Sequence, residues 1–245
     1  MWTWFHQLAS PPTFYRFADL LTPWLFALAV LLLGTGVYGG LLIAPADYQQ
    51  GDAFRIIYVH VPAAALSLFV YTFMAVAGGI ALIWRMKLAE CAVVAAAPVG
   101  GSFTALALLT GMLWGKPMWG AYWVWQDARL VSELILLFFY AGVIALNSAF
   151  ADARAGARAS SWLAIVGVVN VPIVHFSVKW WNTLHQGSTI LKLGKPSIAG
   201  DMLWPLLLTL FGFFVFFSAV VLRRMQNEVL VRERNARWVQ ELIAA

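Results

Sequence analysis

The chain has 245 residues, of which 62% are hydrophobic and 11% are charged, with a formal net charge of +5 and a mean hydropathy of +0.79. A soluble domain of this length is unable to bury so much apolar surface, so the composition excludes a soluble protein and indicates an integral membrane protein. In such a protein the positive charge has to be assigned to the two sides of a membrane, and it is therefore no sign of nucleic-acid binding.

The apolar runs exceed the roughly 18 residues that mark a spanning helix. No segment alternates with a period of two residues, which argues against a barrel. We therefore predict an all-α integral membrane protein with six transmembrane helices. The predicted spans cover about residues 21–44, 56–84, 92–113, 130–150, 162–180 and 202–222. Residues 1–222 are expected to form one membrane domain, followed by a tail over 223–245 with the apolar pattern of an amphipathic helix.

An even number of spans places both termini on one side of the membrane. The side that carries the termini receives ten of the lysines and arginines: Arg16, Arg85, Lys87, Arg154, Arg158, Arg223, Arg224, Arg232, Arg234 and Arg237. The other side receives Arg55, Lys116, Arg129, Lys179, Lys192 and Lys195. This bias favours cytoplasmic termini. For a bacterium we predict a multi-pass protein of the inner membrane, with a cytoplasmic tail and a periplasmic connection between the third and fourth helices.

That connection lies in residues 114–130, which read WGKPMWGAYWVWQDARL and are called here the Trp-rich segment. Gly115, Pro117 and Gly120 argue against a continuous helix, so a loop or short helix at the membrane surface is predicted. An interfacial aromatic belt is the simpler interpretation. Four tryptophans on one connection exceed that need, and we favour a binding platform for a flat, apolar ligand. The platform residues are Trp114, Trp119, Tyr122, Trp123 and Trp125.

Two of the four histidines, His60 and His185, lie at the predicted outer ends of the second and fifth spans. Pro62 predicts that the backbone starts or bends next to His60. Two imidazoles at one membrane face, with tryptophans nearby, suit axial ligation of a haem iron. Hydrogen bonding across helices is the alternative for each ring. His175 is a rival ligand, to which we assign a structural or supporting role, and His6 is regarded as incidental.

A porphyrin also needs flat apolar walls and cationic partners for its propionates. The indole rings supply the walls by dispersion and stacking. The candidate cations are Arg129, Lys116, Arg55 and Lys192, which would bind propionates by charge-assisted hydrogen bonds. An ordinary juxtamembrane position is the alternative for each. Three roles are open for Asp127: pairing with Arg129, orienting an indole N–H, or capping the fourth helix.

Other chemistry finds little support in the sequence. The single Cys91 excludes an internal disulfide, and no C-x-x-C-H occurs for covalent haem attachment. The chain has no phosphate-binding G-x-x-x-x-G-K-[ST] loop, so we predict that it is not an enzyme and that any ATP is hydrolysed by a partner.

Six stretches together resemble the haem-handling membrane proteins with a tryptophan-rich periplasmic loop, in the branch that serves cytochrome c maturation. They are residues 44–51, 57–62, 114–120, 123–125, 127–130 and 180–188. The resemblance implies six spans and haem b, iron protoporphyrin IX, held by His60, His185 and the Trp-rich segment. It also implies transfer to a periplasmic membrane-anchored haem chaperone. Within an ABC-transporter-like complex, the implied partners are an ATP-binding subunit, a second membrane subunit and a small single-span subunit.

One departure from the family pattern is Gln126, an extra residue between Trp125 and Asp127. An extra residue rotates a helix by roughly 100°, so Asp127 and Arg129 would be misaligned with the tryptophans unless a loop absorbs the insertion.

Two other functions are open. A transporter moving haem or another solute through the bundle needs polar groups along its spans. The spans offer few such groups: Asn170, His175, Ser67, Ser132, Ser218 and Glu133 near the outer end. A redox protein that carries electrons across the membrane needs haem ligands at both depths, and the cytoplasmic half of the predicted spans holds no histidine.

Overall fold

The computed structural model describes residues 10–187 and 195–244, and its regular structure there is helical. The helices are α1 (Pro11–Tyr38), α2 (Ile57–Trp84), α3 (Lys87–Trp119), α4 (Ala128–Ala149), α5 (Ala153–Gly167), α6 (Asn170–Trp180), α7 (Gly200–Arg232) and α8 (Arg237–Ala244). A π-helical turn (Gly39–Ile43) extends α1, and a 3-10 helix (Asp52–Ile56) leads into α2. His6 and Lys192 lie outside the described residues.

Within the described residues, six helical segments are long and apolar enough to cross a membrane, with α5 and α6 together forming the fifth. The predicted all-α fold with six transmembrane helices is therefore confirmed. α2 has almost the predicted bounds, whereas α3 and α7 continue well past theirs. Hydropathy marks where a helix meets lipid, but backbone hydrogen bonds carry the helix on into the polar region.

The Trp-rich segment divides between a helix and a loop. Its first part, up to Trp119, is the last part of α3, so the third span ends later than predicted. Pro117 lies in the last turn, where it has no N–H to donate to the carbonyl of Leu113, and the helix ends two residues beyond it. Gly120, with a φ of 77°, terminates the helix in a left-handed conformation that favours glycine. The connection to α4 is residues 120–127.

Close packing between helices depends on small residues. α1 lies against α7, where a Cβ on Gly36 would stand 2.8 Å from Cγ2 of Thr209. Gly100 of α3 lies beneath the ring of Tyr140, and a Cβ there would overlap the ring. The hydroxyl of Tyr140 donates to the carbonyl oxygen of Ser67 at 2.7 Å, which joins α4 to α2. Small residues allow this approach where burial of apolar surface from water gives no driving force.

The fifth span is interrupted between α5 and α6 at residues 168–169. Pro172 has no N–H to donate to the carbonyl oxygen of Val168. The N–H of Val171 donates to that oxygen instead, at 3.0 Å. The side chain of Asn170 donates to the carbonyl oxygen of Ser132 at 2.9 Å and thereby ties α6 to α4. The residues that follow α6 are consequently held beside the start of α4.

At the opposite end of the bundle, where α2 ends and α3 begins, charged residues join α3 to the end of α7. Buried Glu90 pairs with Arg232 at 3.0 Å, and Lys87 pairs with Glu233 at 2.7 Å. Hydrogen bonds from Lys87 and Trp238 lower the pKa of Glu233. The ring of Trp238 also packs on Tyr15 of α1. These contacts fix the part of the chain beyond residue 222 against the membrane helices.

Candidate functional site

A cavity lies at the end of the bundle where α2 and α4 begin and α3 ends, called here the histidine end. His60 and His185 both line it. The other lining residues come from α2, α3 and α4: Ala64, Ala107, Leu108, Gly111, Arg129, Leu130 and Glu133. The two histidines singled out in the sequence therefore face one cavity, although they lie far apart in the chain.

His60 is held in one tautomer by Thr110. Its Nδ1 lies 3.0 Å from Oγ1 of Thr110. That hydroxyl has one proton, which it donates to the carbonyl oxygen of Leu106 at 2.6 Å. The Nδ1 of His60 must therefore carry the proton and donate to Thr110, which leaves Nε2 with the lone pair that a metal ion binds. The ring also packs edge-to-face on Trp114, with centroids 5.6 Å apart.

His185 follows α6 and rests between Trp119 and Asp127. Its ring centroid lies 5.0 Å from that of Trp119. Its Nδ1 lies 3.6 Å from Oδ1 of Asp127 and has no hydrogen-bond partner among the described residues. This distance is slightly too long for a hydrogen bond, so the contact is electrostatic. A carboxylate beside Nδ1 is the usual neighbour of a histidine whose Nε2 binds a metal ion.

Asp127 connects the start of α4 to the segment that carries His185. Its Oδ1 accepts hydrogen bonds from the backbone N–H groups of Arg129 and Leu130 at 3.0 and 3.1 Å, which caps α4. Its Oδ2 accepts from the N–H of Leu184 at 2.8 Å. Burial acts to raise the pKa of Asp127, but the electrostatic contact with His185 and the hydrogen bonds from Leu184 and Leu130 outweigh it and lower that pKa to about 2.

The extra residue Gln126 lies in the connection before this cap. The loop absorbs it, and the register of α4 begins at Asp127. Gln126 therefore does not rotate Arg129 away from the cavity, which Arg129 lines.

The aromatic residues of the Trp-rich segment form two groups. Trp114 and Trp119, on α3, contact His60 and His185 respectively. Tyr122, Trp123 and Trp125 lie on the connection, where the rings of Trp123 and Trp125 meet at 5.3 Å. Trp125 is 69% exposed and Tyr122 is 53% exposed. The indole N–H of Trp123 is buried and has no hydrogen-bond partner in the described part of the chain.

The candidate cations differ in placement. Arg129 faces the cavity, with Nη1 3.4 Å from the carbonyl oxygen of Val174. Arg55 instead donates to the carbonyl oxygens of Gly40 and Ala44 and pairs with Asp52.

Lys116 donates to the carbonyl oxygen of Gly120 at 3.1 Å, and its ammonium group lies 5.3 Å from the ring centroid of Tyr122. Of the candidate cations that the structure describes, Arg129 is therefore the one that lines the cavity.

Two residues of the site were not singled out as binding residues in the sequence. Glu133 is only 8% exposed and lines the cavity; an ionisable residue within a span is a functional candidate by default, which was the available signal. Thr110 gave no signal, because its role depends on the packing of α3 against α2. The rival His175 is exposed on α6, where its ring packs against Phe176.

The chemistry of this donor set fits an iron porphyrin. Imidazole nitrogens are common axial ligands of haem iron, a half-buried guanidinium suits a propionate, and indole rings suit the faces of a macrocycle. The cavity between the helices is small, so a porphyrin would extend outward over the aromatic residues of the connection.

Comparisons with known proteins agree on one family. The family model described as heme exporter protein C matches residues 4–240. The heme exporter protein C of Haemophilus influenzae is 52% identical over 242 residues, which cover 99% of this chain and 98% of that protein. The protein of the same name from Escherichia coli is 53% identical over 243 residues, with the same coverage of 99% and 98%. That from Bradyrhizobium diazoefficiens is 48% identical over 239 residues, or 98% of this chain and 89% of the relative.

Proposed function

Since the chain belongs to the heme exporter protein C family, we propose that it binds haem b through His60 and His185 and presents it to a periplasmic haem chaperone during cytochrome c maturation. The observation that carries this proposal is that both imidazoles line one cavity. Thr110 and Asp127 lie at their Nδ1 atoms. The contact with Thr110 leaves Nε2 of His60 free for axial ligation, and the carboxylate of Asp127 beside Nδ1 of His185 favours the same arrangement there.

The remaining predicted residues take supporting roles around the porphyrin. Trp114 and Trp119 pack against the two ligands and wall the inner part of the ring. Arg129 holds one propionate, because it is the described cation that lines the cavity. The outer part of the porphyrin rests on the exposed connection, among Tyr122, Trp123, Trp125 and Lys116.

Arg55 and Asp127 act on the backbone around the site. Arg55 fixes the connection between α1 and α2 through the carbonyls of Gly40 and Ala44. That connection reaches the site through Gln50, which accepts a hydrogen bond from the indole N–H of Trp114 at 2.9 Å. Asp127 holds the start of α4 and the segment of His185 together.

Placement of the site at the end of the bundle supports presentation of haem over transport through the spans. Buried polar side chains of the bundle bond to one another or to backbone: Ser67 contacts Glu133 at 2.7 Å, and Asn170 donates to the carbonyl oxygen of Ser132. They are engaged in holding helices together. The exposed rings of the connection leave the outer edge of a bound porphyrin accessible to a membrane-anchored chaperone.

The proposal includes an orientation in the bacterial inner membrane. The histidine end faces the periplasm, and both termini, with the tail over 223–245, face the cytoplasm, as the distribution of lysines and arginines favours. The chain lacks a phosphate-binding loop, so the ATP-binding subunit hydrolyses ATP. A second membrane subunit and a small single-span subunit complete the ABC-transporter-like complex.

The absorbance spectrum of the purified full-length chain loaded with ferric haem tests this function. We expect the low-spin spectrum of a porphyrin with two imidazole ligands, because both histidines line the cavity. A high-spin spectrum, or no saturable binding of haem, would remove the assignment.

A further inference from the structure

A buried carboxylate shares the cavity with the two histidines. Glu133 lies on α4 one turn after Arg129, is 8% exposed, and lines the same cavity as His60 and His185. In the described part of the chain, Ser67 is the side chain that donates to it, at 2.7 Å from Oγ to Oε1. Placing an ionisable group at this depth is unfavourable unless something compensates.

Burial favours the neutral form of the Glu133 side chain, and two neighbours act against it by favouring the carboxylate. The single proton of the Ser67 hydroxyl is shared between Oε1 of Glu133, at 2.7 Å, and the carbonyl oxygen of Ala64, at 2.8 Å. Arg129 brings a positive charge to the same cavity. Both a donor and a nearby cation stabilise a carboxylate against its neutral form. Arg129 is also the cation assigned above to a propionate, so its charge is shared when haem is present.

We propose that Glu133 is a positioning residue that stabilises ferric over ferrous haem in this site. This inference rests on the proposed function. A ferric porphyrin with two neutral imidazoles carries one positive charge more than its ferrous form. In a cavity enclosed by apolar helices, a fixed negative charge interacts with that difference more strongly than it would in water. The carboxylate therefore keeps the bound haem oxidised, and burial and local charge are recognised determinants of haem potential.

The test is a redox titration of the haem-loaded, full-length protein, in which an added chemical reductant supplies one electron per iron. Glu133→Gln keeps the volume and removes the charge. It is expected to raise the midpoint potential so that the ferrous-to-ferric ratio at a fixed potential rises about tenfold, equal to about 59 mV for a one-electron couple. Glu133→Asp keeps the charge and is expected to titrate close to the unchanged protein.

The matched control is Asp152→Asn, which removes one negative charge at the start of α5, at the opposite end of the bundle. It should leave the potential unchanged. Ser67→Ala removes the donor to the carboxylate without altering Glu133 and should shift the potential in the same direction as Glu133→Gln. It provides a second measurement if the Gln variant does not fold.

The outcomes separate this inference from the proposed function. An unchanged potential in Glu133→Gln overturns the inference, as does an equal shift in Glu133→Asp. The inference is also overturned if Glu133→Gln loses the bis-imidazole spectrum while the unchanged protein keeps it. Glu133 would then be needed for the structure of the site, and its effect on the potential could not be assigned to its charge. If the unchanged protein itself lacks that spectrum, the proposed function is what fails.

Discussion

Replacement of His60 or His185 by alanine is expected to abolish the bis-imidazole spectrum of haem bound to this protein. Each variant retains a single imidazole at the cavity, so the iron loses its low-spin coordination. Both variants should behave alike, because the two rings stand on different elements but serve one iron. The measurement is the absorbance of the purified variants after loading with ferric haem and removal of the excess.

His175→Ala is the matched control for these variants. His175 lies on α6 near the same end of the bundle, is exposed, and packs against Phe176 outside the cavity lining. Its removal should leave the spectrum intact. A bis-imidazole spectrum that survives in His60→Ala or His185→Ala would show that another residue ligates the iron.

Replacement of Asp127 by alanine is expected to weaken both the fold and haem binding. Loss of a helix cap destabilises a protein by about 0.5–2 kcal/mol, and loss of a hydrogen bond to a charged group by about 1.5–3 kcal/mol. Asp127→Ala removes the cap of α4 and the bond to the N–H of Leu184. His185 directly follows Leu184 in the chain. Haem affinity should therefore fall about 10- to 100-fold, as when the partner of a metal-binding histidine is lost.

Asp152→Ala separates the two effects. Asp152 caps α5 through the N–H groups of Arg154 and Ala155, in the way that Asp127 caps α4. Its replacement should lower the free energy of unfolding by roughly 1 kcal/mol, the usual effect of losing a helix cap, and should leave haem affinity unchanged. Equal loss of haem affinity in both variants would contradict a specific role for Asp127. Thermal unfolding in detergent and equilibrium haem titration are the two measurements.

The same residue predicts a dependence of stability on pH. In the folded state the contact with His185 and the backbone hydrogen bonds lower the pKa of Asp127 from 3.8 to about 2. A lowered folded-state pKa contributes stability above the unfolded value and loses it as pH falls, here between about pH 4 and pH 2. The contribution is on the order of 2 kcal/mol. The difference in unfolding free energy between the unchanged protein and Asp127→Ala should therefore shrink across this interval.

The six spans could be predicted because hydropathy and length decide which helices cross a membrane. Their ends could not be predicted: α3 begins at Lys87 and α7 ends at Arg232, and these two residues pair with Glu233 and Glu90. Such pairs join segments that are distant in sequence. The cap by Asp127 was one of three roles open from the sequence, since a short acidic residue before an apolar run is typical of a helix start.

Within the site, local sequence indicated which residues matter but not how they meet. Arg55 was expected to bind a propionate, whereas its guanidinium donates hydrogen bonds to the carbonyl oxygens of Gly40 and Ala44. That arrangement follows from the π-helical turn after α1, which no local pattern predicted. Glu133 was visible as an ionisable residue in a span, but its place beside His60 and His185 depends on the packing of α2, α3 and α4.

The central claim is that one iron lies between two imidazoles at the histidine end of the bundle. A structure of the haem-loaded protein determined by electron cryomicroscopy measures this directly. We predict density for iron between the Nε2 atoms of His60 and His185, with the porphyrin edge over the connection from α3 to α4. Iron ligated by any other side chain, or haem bound elsewhere on the bundle, would contradict the account.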